Sequence, residues 1–229
     1  MAPVSDYDTA AAEAYERLVE PLTGSYANGL LDAVGKPLSG LSVLDCACGS
    51  GAVSICAVQR GASVTACDIS PAMVARCAER CNSVATAVAD LKALPEEWTG
   101  KFDVAVSSFG VIFCGDLVVG LREMTRCLKP GGVVLFTAWG GPDETPGFQI
   151  IPKAAVDCLA TDLADKVNPK RKRAHASAEN LTEALLDAMG EETESSLIRI
   201  LGPEMRMLNV ASPAAYWTRF AETSPALRE

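Results

Sequence analysis

Val43-Leu44-Asp45-Cys46-Ala47-Cys48-Gly49-Ser50-Gly51, read with a second acid at Asp68, decides the fold of this chain. Residues 42–44 read as the end of a buried strand, and residues 52–58 continue as a helix. The loop between them is built of small residues, as it must be where backbone approaches a ligand. Glycine has no Cβ, so Gly49 and Gly51 allow a tight turn that lies against a bound molecule, whose acidic end faces the helix N-terminus. A second strand, residues 63–66, ends at Cys67-Asp68, where a carboxylate can accept hydrogen bonds from both hydroxyls of a ribose. The two parts together describe a nucleotide-like ligand.

Working outward, strand and helix alternate over residues 41–139. That pattern predicts an α/β domain with a Rossmann-like, doubly wound, mostly parallel sheet and helices on both faces. Ser70-Pro71 is an N-cap followed by proline at the first helical position, which places Met73 near the ligand end of its helix. A flexible thioether suits the face of a flat ring; ordinary core packing is the competing reading, and only the offset from Asp68 favours the ligand. Asp90 follows the alternating Val84-Ala85-Thr86-Ala87-Val88-Ala89 and so sits at a strand end, where ligands of open α/β sheets collect. A helix or turn cap explains it equally well. Lys129-Pro130-Gly131-Gly132 fits a type II turn between a helix over residues 121–128 and a strand over residues 133–136, a structural assignment.

Residues 8–22 and 26–34 read as two helices that close over the ligand, with Tyr7, Tyr15 and Tyr26 either touching it or packing on the sheet. Gly140-Gly141-Pro142 ends the alternation. Residues 150–163 carry apolar positions on one helical face, and a cap is expected over residues 140–178. Residues 181–189 return to helix, closed by Gly190, and residues 197–201 and 205–209 pair as a hairpin around Gly202-Pro203. The expectation is a single domain: N-terminal helices over 1–40, a ligand-binding core over 41–139, the cap over 140–178, and a C-terminal helix, hairpin and helix over 179–229.

A chain of 229 residues buries a sizeable core as one domain. No apolar run is long enough to span a bilayer, and an N-terminus carrying Asp6, Asp8 and Glu13 lacks the pattern of a signal peptide, so an intracellular, cytoplasmic location is expected. The nine cysteines, among them Cys46, Cys48, Cys67, Cys127 and Cys158, are scattered through predicted strands and helices. They read as small buried residues in a reducing compartment. Cys77 and Cys81 share a helix face, but with one histidine and no second matched pair no metal site is expected. The net charge of −9 argues against a nucleic-acid partner. A local exception, Lys166, Lys170, Arg171, Lys172 and Arg173, reads as a solvated loop; recognition of an acidic substrate, a phosphate headgroup or a membrane surface is the competing reading.

Five separated segments, VLDCACGSG, ACDISPAMV, AVADLKALP, FDVAVSSFGVIF and RCLKPGGVVLFTAW, stand in one family's order. In them the chain resembles the class I S-adenosylmethionine-dependent methyltransferases, within the branch of ubiquinone/menaquinone-biosynthesis-like (type 11) enzymes. The resemblance covers most of residues 1–200. It implies that Asp45, Ala47, Gly49 and Gly51 surround the methionine part of S-adenosylmethionine and that Asp68 binds its ribose diol. It also implies that Ile69 and Met73 flank the adenine, Asp90 faces its amino group, Leu91 lies beside the ring, and the Ser107 carbonyl meets the ammonium group. In that branch a segment like Ser212-Pro213-Ala214-Ala215-Tyr216-Trp217 is followed by a closing strand, whereas this sequence stops at Glu229. Either the hairpin supplies the sheet edge or the sequence is truncated.

The implied reaction is in-line displacement of the sulfonium methyl by a small-molecule nucleophile, phenolic, quinone-like or lipid-like, with S-adenosylhomocysteine as product. Alignment supplies roughly 7–11 kcal/mol of such a barrier, and a base matters only where the nucleophile holds its proton. Ser107-Ser108-Phe109-Gly110 is not the Asn-Pro-Pro-aromatic pattern of nucleobase amino-methyltransferases, which argues against a DNA adenine target. Phe109, Ile112 and Phe113 either line an apolar acceptor pocket or pack in the core. His175 is either a base or a surface residue, and the sequence names no catalytic base and no oligomeric state. Two other functions compete: a catalytically silent partner that keeps the S-adenosylmethionine fold, and a nicotinamide-dependent oxidoreductase. Against the latter, Ser54 replaces the third glycine of G-x-G-x-x-G and Asp45 precedes the glycines.

Overall fold

Strands that read as near-continuous runs of Val, Leu, Ala and Cys are covered on both faces, because apolar side chains point alternately to either side of a strand. The computed structural model describes residues 8–140, 145, 177–190, 198–202, 212 and 214. Among these, β1 (Ser42–Cys46), β2 (Ser63–Asp68), β3 (Ala85–Val88), β4 (Phe102–Ser108) and β5 (Leu128–Thr137) form one sheet in the order β3-β2-β1-β4-β5. Every pairing is parallel. The central strands are the most apolar, and Val43, Leu44 and Cys46 of β1 and Val104, Ala105 and Val106 of β4 are fully buried.

Helices α1 (Thr9–Leu18), α2 (Glu20–Thr23), α3 (Ala27–Asp32), α4 (Ala52–Gln59), α5 (Pro71–Arg80), α6 (Leu117–Arg126) and α7 (Ala178–Met189) complete the described elements, with short 3-10 turns between some of them. On one face of the sheet Leu31 of α3, Val53 and Ala57 of α4 and Cys77 of α5 pack with Val43, Val64 and Val104. On the other, Leu121 and Met124 of α6 and Ala184 and Ala188 of α7 pack with Leu44, Cys46 and Ala105. The chain runs outward from β1 to β3 and then returns to place β4 on the other side of β1. The crevice where ligands collect in such sheets therefore opens at the carboxyl ends of β1 and β4.

The expected alternation over residues 41–139 is present, and several boundaries move for identifiable reasons. The expected helix over residues 8–22 divides, because Pro21 lacks an N–H and fits only the first turn of a new helix, so α1 ends at Leu18 and α2 begins at Glu20. Helix α6 starts at Leu117, earlier than the expected residue 121, because the Asp116 carboxylate accepts from the Val119 N–H at 3.2 Å. The Lys129 to Gly132 turn does not separate helix from strand. It is a bulge inside β5, where the register passes from Phe102↔Leu128 to Val104↔Val133 and Gly131 takes φ +77°. Lys129 donates to the Asp103 carboxylate at 2.8 Å, and the same carboxylate accepts from the Ser42 N–H at 2.8 Å.

Helix α7 begins three residues before the expected Leu181, because the Ser177 hydroxyl caps the Asn180 N–H at 3.1 Å. Residues 198–202 carry no strand, so the first half of the expected hairpin does not form there. Its second half, Tyr7, His175, the basic run from Lys166 to Arg173 and most of the expected cap lie outside the described residues.

Candidate cofactor site

The loop after β1 is constrained from three sides. The Cys48 N–H donates to the Cys67 carbonyl at 2.9 Å, and the Gly49 N–H donates to one carboxylate oxygen of Asp68 at 2.9 Å. The other Asp68 oxygen accepts from the N–H of Ser70, the N-cap of α5, at 2.9 Å. Asp68 therefore joins the loop to the start of α5, while each of its oxygens keeps acceptor capacity. Burial pushes its carboxyl upward from the usual range, against the pull of the Ser70, Gly49 and Ile69 amides. Gly51 opens α4 with φ +93°, and a Cβ there would stand 2.7 Å from the Cys77 sulfur, so glycine is required for both reasons.

Asp45 sits at the penultimate position of β1 and is almost fully buried. Its carboxylate accepts from the Ser54 hydroxyl at 2.6 Å. Burial raises its carboxyl to about 7, outweighing the Ser54 hydrogen bonds. Ala47 and Phe109 take positive φ, 55° and 57°. Such strain in non-glycine residues gathers at ligand sites, and these two flank the ends of β1 and β4. Phe109 stacks on Trp139 at 3.9 Å and meets Tyr26 edge-on at 5.3 Å, while its N–H donates to the Thr137 hydroxyl at 2.9 Å.

A small cleft, with about 30 Å³ of free space inside it, lies against this loop. Asp45, Ala47, Gly49 and Ser108 line its sheet side, and Tyr15, Glu20 and Thr23 close it from α1 and α2. The Ser108 hydroxyl oxygen is buried and has no hydrogen-bond partner among the described residues. The N-terminal helices are fixed by a network that begins on α5. Arg80 donates to both carboxylate oxygens of Glu20, at 2.6 and 2.8 Å, and to the Ser50 carbonyl at 2.8 Å. The Ser50 hydroxyl donates to Glu20, and Glu16 pairs with Arg76 and, at 3.3 Å, with Arg80. The Arg76 guanidinium holds the Glu16 carboxyl below its usual range.

Of the residues singled out in the sequence, Asp45, Ala47 and Gly49 line the cleft directly. Gly51 shapes the helix start, and Asp68 braces the loop. Ile69 is exposed, whereas Met73 and Leu91 are buried. Asp90 follows the end of β3, and its carboxylate accepts from the Lys92 N–H at 2.9 Å, so it acts as a turn cap. Ser107 is fully buried, and its hydroxyl accepts from the Val111 N–H at 2.9 Å. Glu20, Ser50, Arg80 and Ser108 were not singled out. Glu20 and Arg80 stand 60 positions apart, and no local pattern joins them; Ser108 had one signal, a hydroxyl at the end of a buried strand. Among the described residues no group of three His, Cys, Asp or Glu is placed to hold a metal, and no helix is long and apolar enough to cross a membrane.

Residues 43–132 match the model of a methyltransferase domain, the span that holds β1 to the bulge in β5. Over these residues the chain is similar to S-adenosylmethionine-dependent methyltransferases. It is similar to a malonyl-[acyl-carrier protein] O-methyltransferase of Salmonella typhimurium, 42% identical over 129 residues that cover 51% of each chain. It is also similar to a demethylmenaquinone methyltransferase of Beutenbergia cavernae, 34% identical over 139 residues, 60% of this chain and 56% of that one. The chain thus spans about half the length of the curated relatives it matches. Among solved structures, a candidate S-adenosylmethionine-dependent methyltransferase of Methanococcus maripaludis shares the fold. Its TM-score is 0.55 at 21% identity, over 82% of this chain and 88% of that one.

Proposed function

We propose that this protein transfers a methyl group from S-adenosylmethionine to a small-molecule acceptor. The observation that carries the reading is the cleft against the β1 loop, which presents a buried carboxyl, Asp45, and a buried hydroxyl, Ser108, with no partner among the described residues, beside the glycine backbone. A buried hydroxyl without a partner is costly in a folded protein, and a ligand with a polar tail relieves that cost. The tail of S-adenosylmethionine, with an ammonium and a carboxylate, has the matching groups. The site residues then take these roles: Asp45, Ala47, Gly49, Gly51 and the Ser107 carbonyl at the tail, Asp68 at the ribose diol, and Ile69, Met73, Asp90 and Leu91 around the adenine.

When bound, the cofactor supplies a methyl on a positively charged sulfur, which a nucleophile displaces in line to leave S-adenosylhomocysteine. The protein's part is positioning. The loop is braced by Asp68, the strand ends are fixed by the sheet, and α1 and α2 exclude water from the tail. A nicotinamide dinucleotide is disfavoured, because Ser54 stands where its fingerprint needs a third glycine and its hydroxyl is spent on Asp45.

The acceptor is proposed to be phenolic, quinone-like or lipid-like. The aromatic group Tyr26, Phe109 and Trp139 beside the cleft supports an apolar planar acceptor. The relatives named for malonyl-[acyl-carrier protein] and for demethylmenaquinone add carrier-bound malonyl and quinone-like acceptors to the range. No nucleic-acid partner is proposed, on the net charge of −9. A cytoplasmic location is proposed because the described cysteines are free thiols. The test is transfer of a tritiated methyl from S-adenosylmethionine to panels of phenols, quinols, acyl carboxylates and DNA. Transfer to one small-molecule class, with none to DNA, is expected. Cofactor binding without transfer to any panel would instead make the protein a silent binder.

A further inference from the structure

Most of the polar side chains that line the cleft already have partners. The Tyr15 and Thr23 hydroxyls meet at 3.3 Å on the wall made by α1 and α2. Glu20 accepts from Arg80 and from the Ser50 hydroxyl, and Asp45 accepts from the Ser54 hydroxyl at 2.6 Å. Ser108 is the exception: its hydroxyl oxygen is buried and has no partner among the described residues. The local backbone does not need it either, because two other hydroxyls hold the turn after β4. That of Ser107 accepts from the Val111 N–H at 2.9 Å, and that of Thr137, the register partner of Ser108 on β5, accepts from the Phe109 N–H at 2.9 Å. Side chains alternate along a strand, so Ser107 points with Ala105 toward the face covered by α6. Ser108 points with Val104 and Val106 toward the face that carries α3, α4 and the cleft.

The charge of the lining decides what that hydroxyl meets. Asp45 and Glu20 bring carboxyls, and among the described residues no lysine or arginine lines the cleft. Ala52 and Val53, at the start of α4, also line it. The N–H groups of a first helical turn have no partner within the helix and favour an anion. A ligand tail with an ammonium and a carboxylate is therefore drawn in one orientation, carboxylate toward α4 and ammonium toward the strand ends. We propose that Ser108 selects the cofactor by its amino group, its hydroxyl oxygen accepting from the ammonium of the S-adenosylmethionine tail, and that the same hydroxyl destabilises the ligand-free fold. A buried hydroxyl without a partner has lost its water and gained nothing in exchange, and a hydrogen bond from a cation is among the strongest replacements. Ser108 is thus a binding residue whose side chain works against folding and for the ligand. Its contact with the ammonium rests on the proposed function; its effect on stability does not.

Three ligands separate the contacts: S-adenosylhomocysteine, the same molecule with hydrogen in place of its amino group, and the same molecule with hydrogen in place of its carboxylate. Each is titrated calorimetrically into the full chain and into Ser108→Ala, and thermal unfolding of both proteins is followed without ligand. Ser108→Ala should bind S-adenosylhomocysteine and the decarboxylated analogue about tenfold more weakly than the wild type does. It should bind the deaminated analogue with unchanged affinity. Without ligand it should unfold at a temperature no lower than that of the wild type, whereas Ser107→Ala, which strips the Val111 N–H of its acceptor, should unfold at a lower one. Equal weakening for all three ligands, weakening confined to the two that carry the carboxylate, or a lowered unfolding temperature of Ser108→Ala would overturn the proposal. Wild type and Ser108→Ala binding S-adenosylhomocysteine equally well would remove Ser108 from the site and leave the proposed function standing. A wild type that binds no S-adenosylhomocysteine would overturn the proposed function, and the ammonium contact with it.

Discussion

Asp68 braces the Gly49 and Ser70 amides with one carboxylate, and its proposed role is to hold a ribose with the remaining lone pairs. A hydrogen bond to a charged group contributes about 1.5–3 kcal/mol. Asp68→Ala should therefore weaken S-adenosylhomocysteine binding by about ten- to a hundredfold in calorimetry; a folded variant with unchanged affinity would remove Asp68 from the site. Asp45 makes a separate prediction. Its folded carboxyl is raised from 3.8 to about 7 by burial, so the folded state holds a proton that the unfolded state has lost. Stability from this group is full below pH 4 and declines as pH rises toward 7. Urea unfolding of the ligand-free protein should show that decline, and Asp45→Asn should flatten it. Asp45, the glycines and Asp68 were legible in the sequence because their chemistry is local to two strand ends. Of the two readings of Asp90, the turn cap is present, since one carboxylate oxygen accepts from the Lys92 N–H; the ligand contact is a proposal. Ser108 was not legible, because what marks it is the absence of a partner in a packed environment.

At the scale of elements, the helices α1 and α2 become a wall of the cleft through α5. Glu20, Arg80 and Ser50 share charge-assisted hydrogen bonds, and Arg80 is only partly exposed. Arg80→Ala should release this wall. Amides of residues 9–23 should exchange with deuterium at least several-fold faster, and S-adenosylhomocysteine affinity should fall by about three- to tenfold, or about 0.7–1.4 kcal/mol, between the values for an exposed ion pair and for a hydrogen bond to a charged group. Unchanged exchange in that segment would mean that packing on the sheet alone holds it. Helix and strand identities followed from alternation and caps, and the errors came from single residues. Asp116 and Ser177 start helices earlier than apolar periodicity does, because a side-chain cap precedes the first buried position. Pro130-Gly131 carries turn chemistry, yet the chain resumes the same strand after it, a choice made by the partner strand β4.

For the whole molecule, the order β3-β2-β1-β4-β5 places the carboxyl ends of β1 and β4 beside each other at the point where the winding reverses, and the cleft lies there. That architecture was legible from the spacing of five apolar strands between amphipathic helices. The contacts that close the cleft were not, because they join residues tens of positions apart. The central claim, that this cleft holds S-adenosylmethionine, is tested most directly by calorimetric titration of the purified chain with S-adenosylmethionine, S-adenosylhomocysteine and a nicotinamide dinucleotide. The first two should bind and the third should not, and at a hundred times the dissociation constant either binder should add roughly 2.7 kcal/mol of stability. Binding of the dinucleotide alone, or of none of the three, would contradict the account.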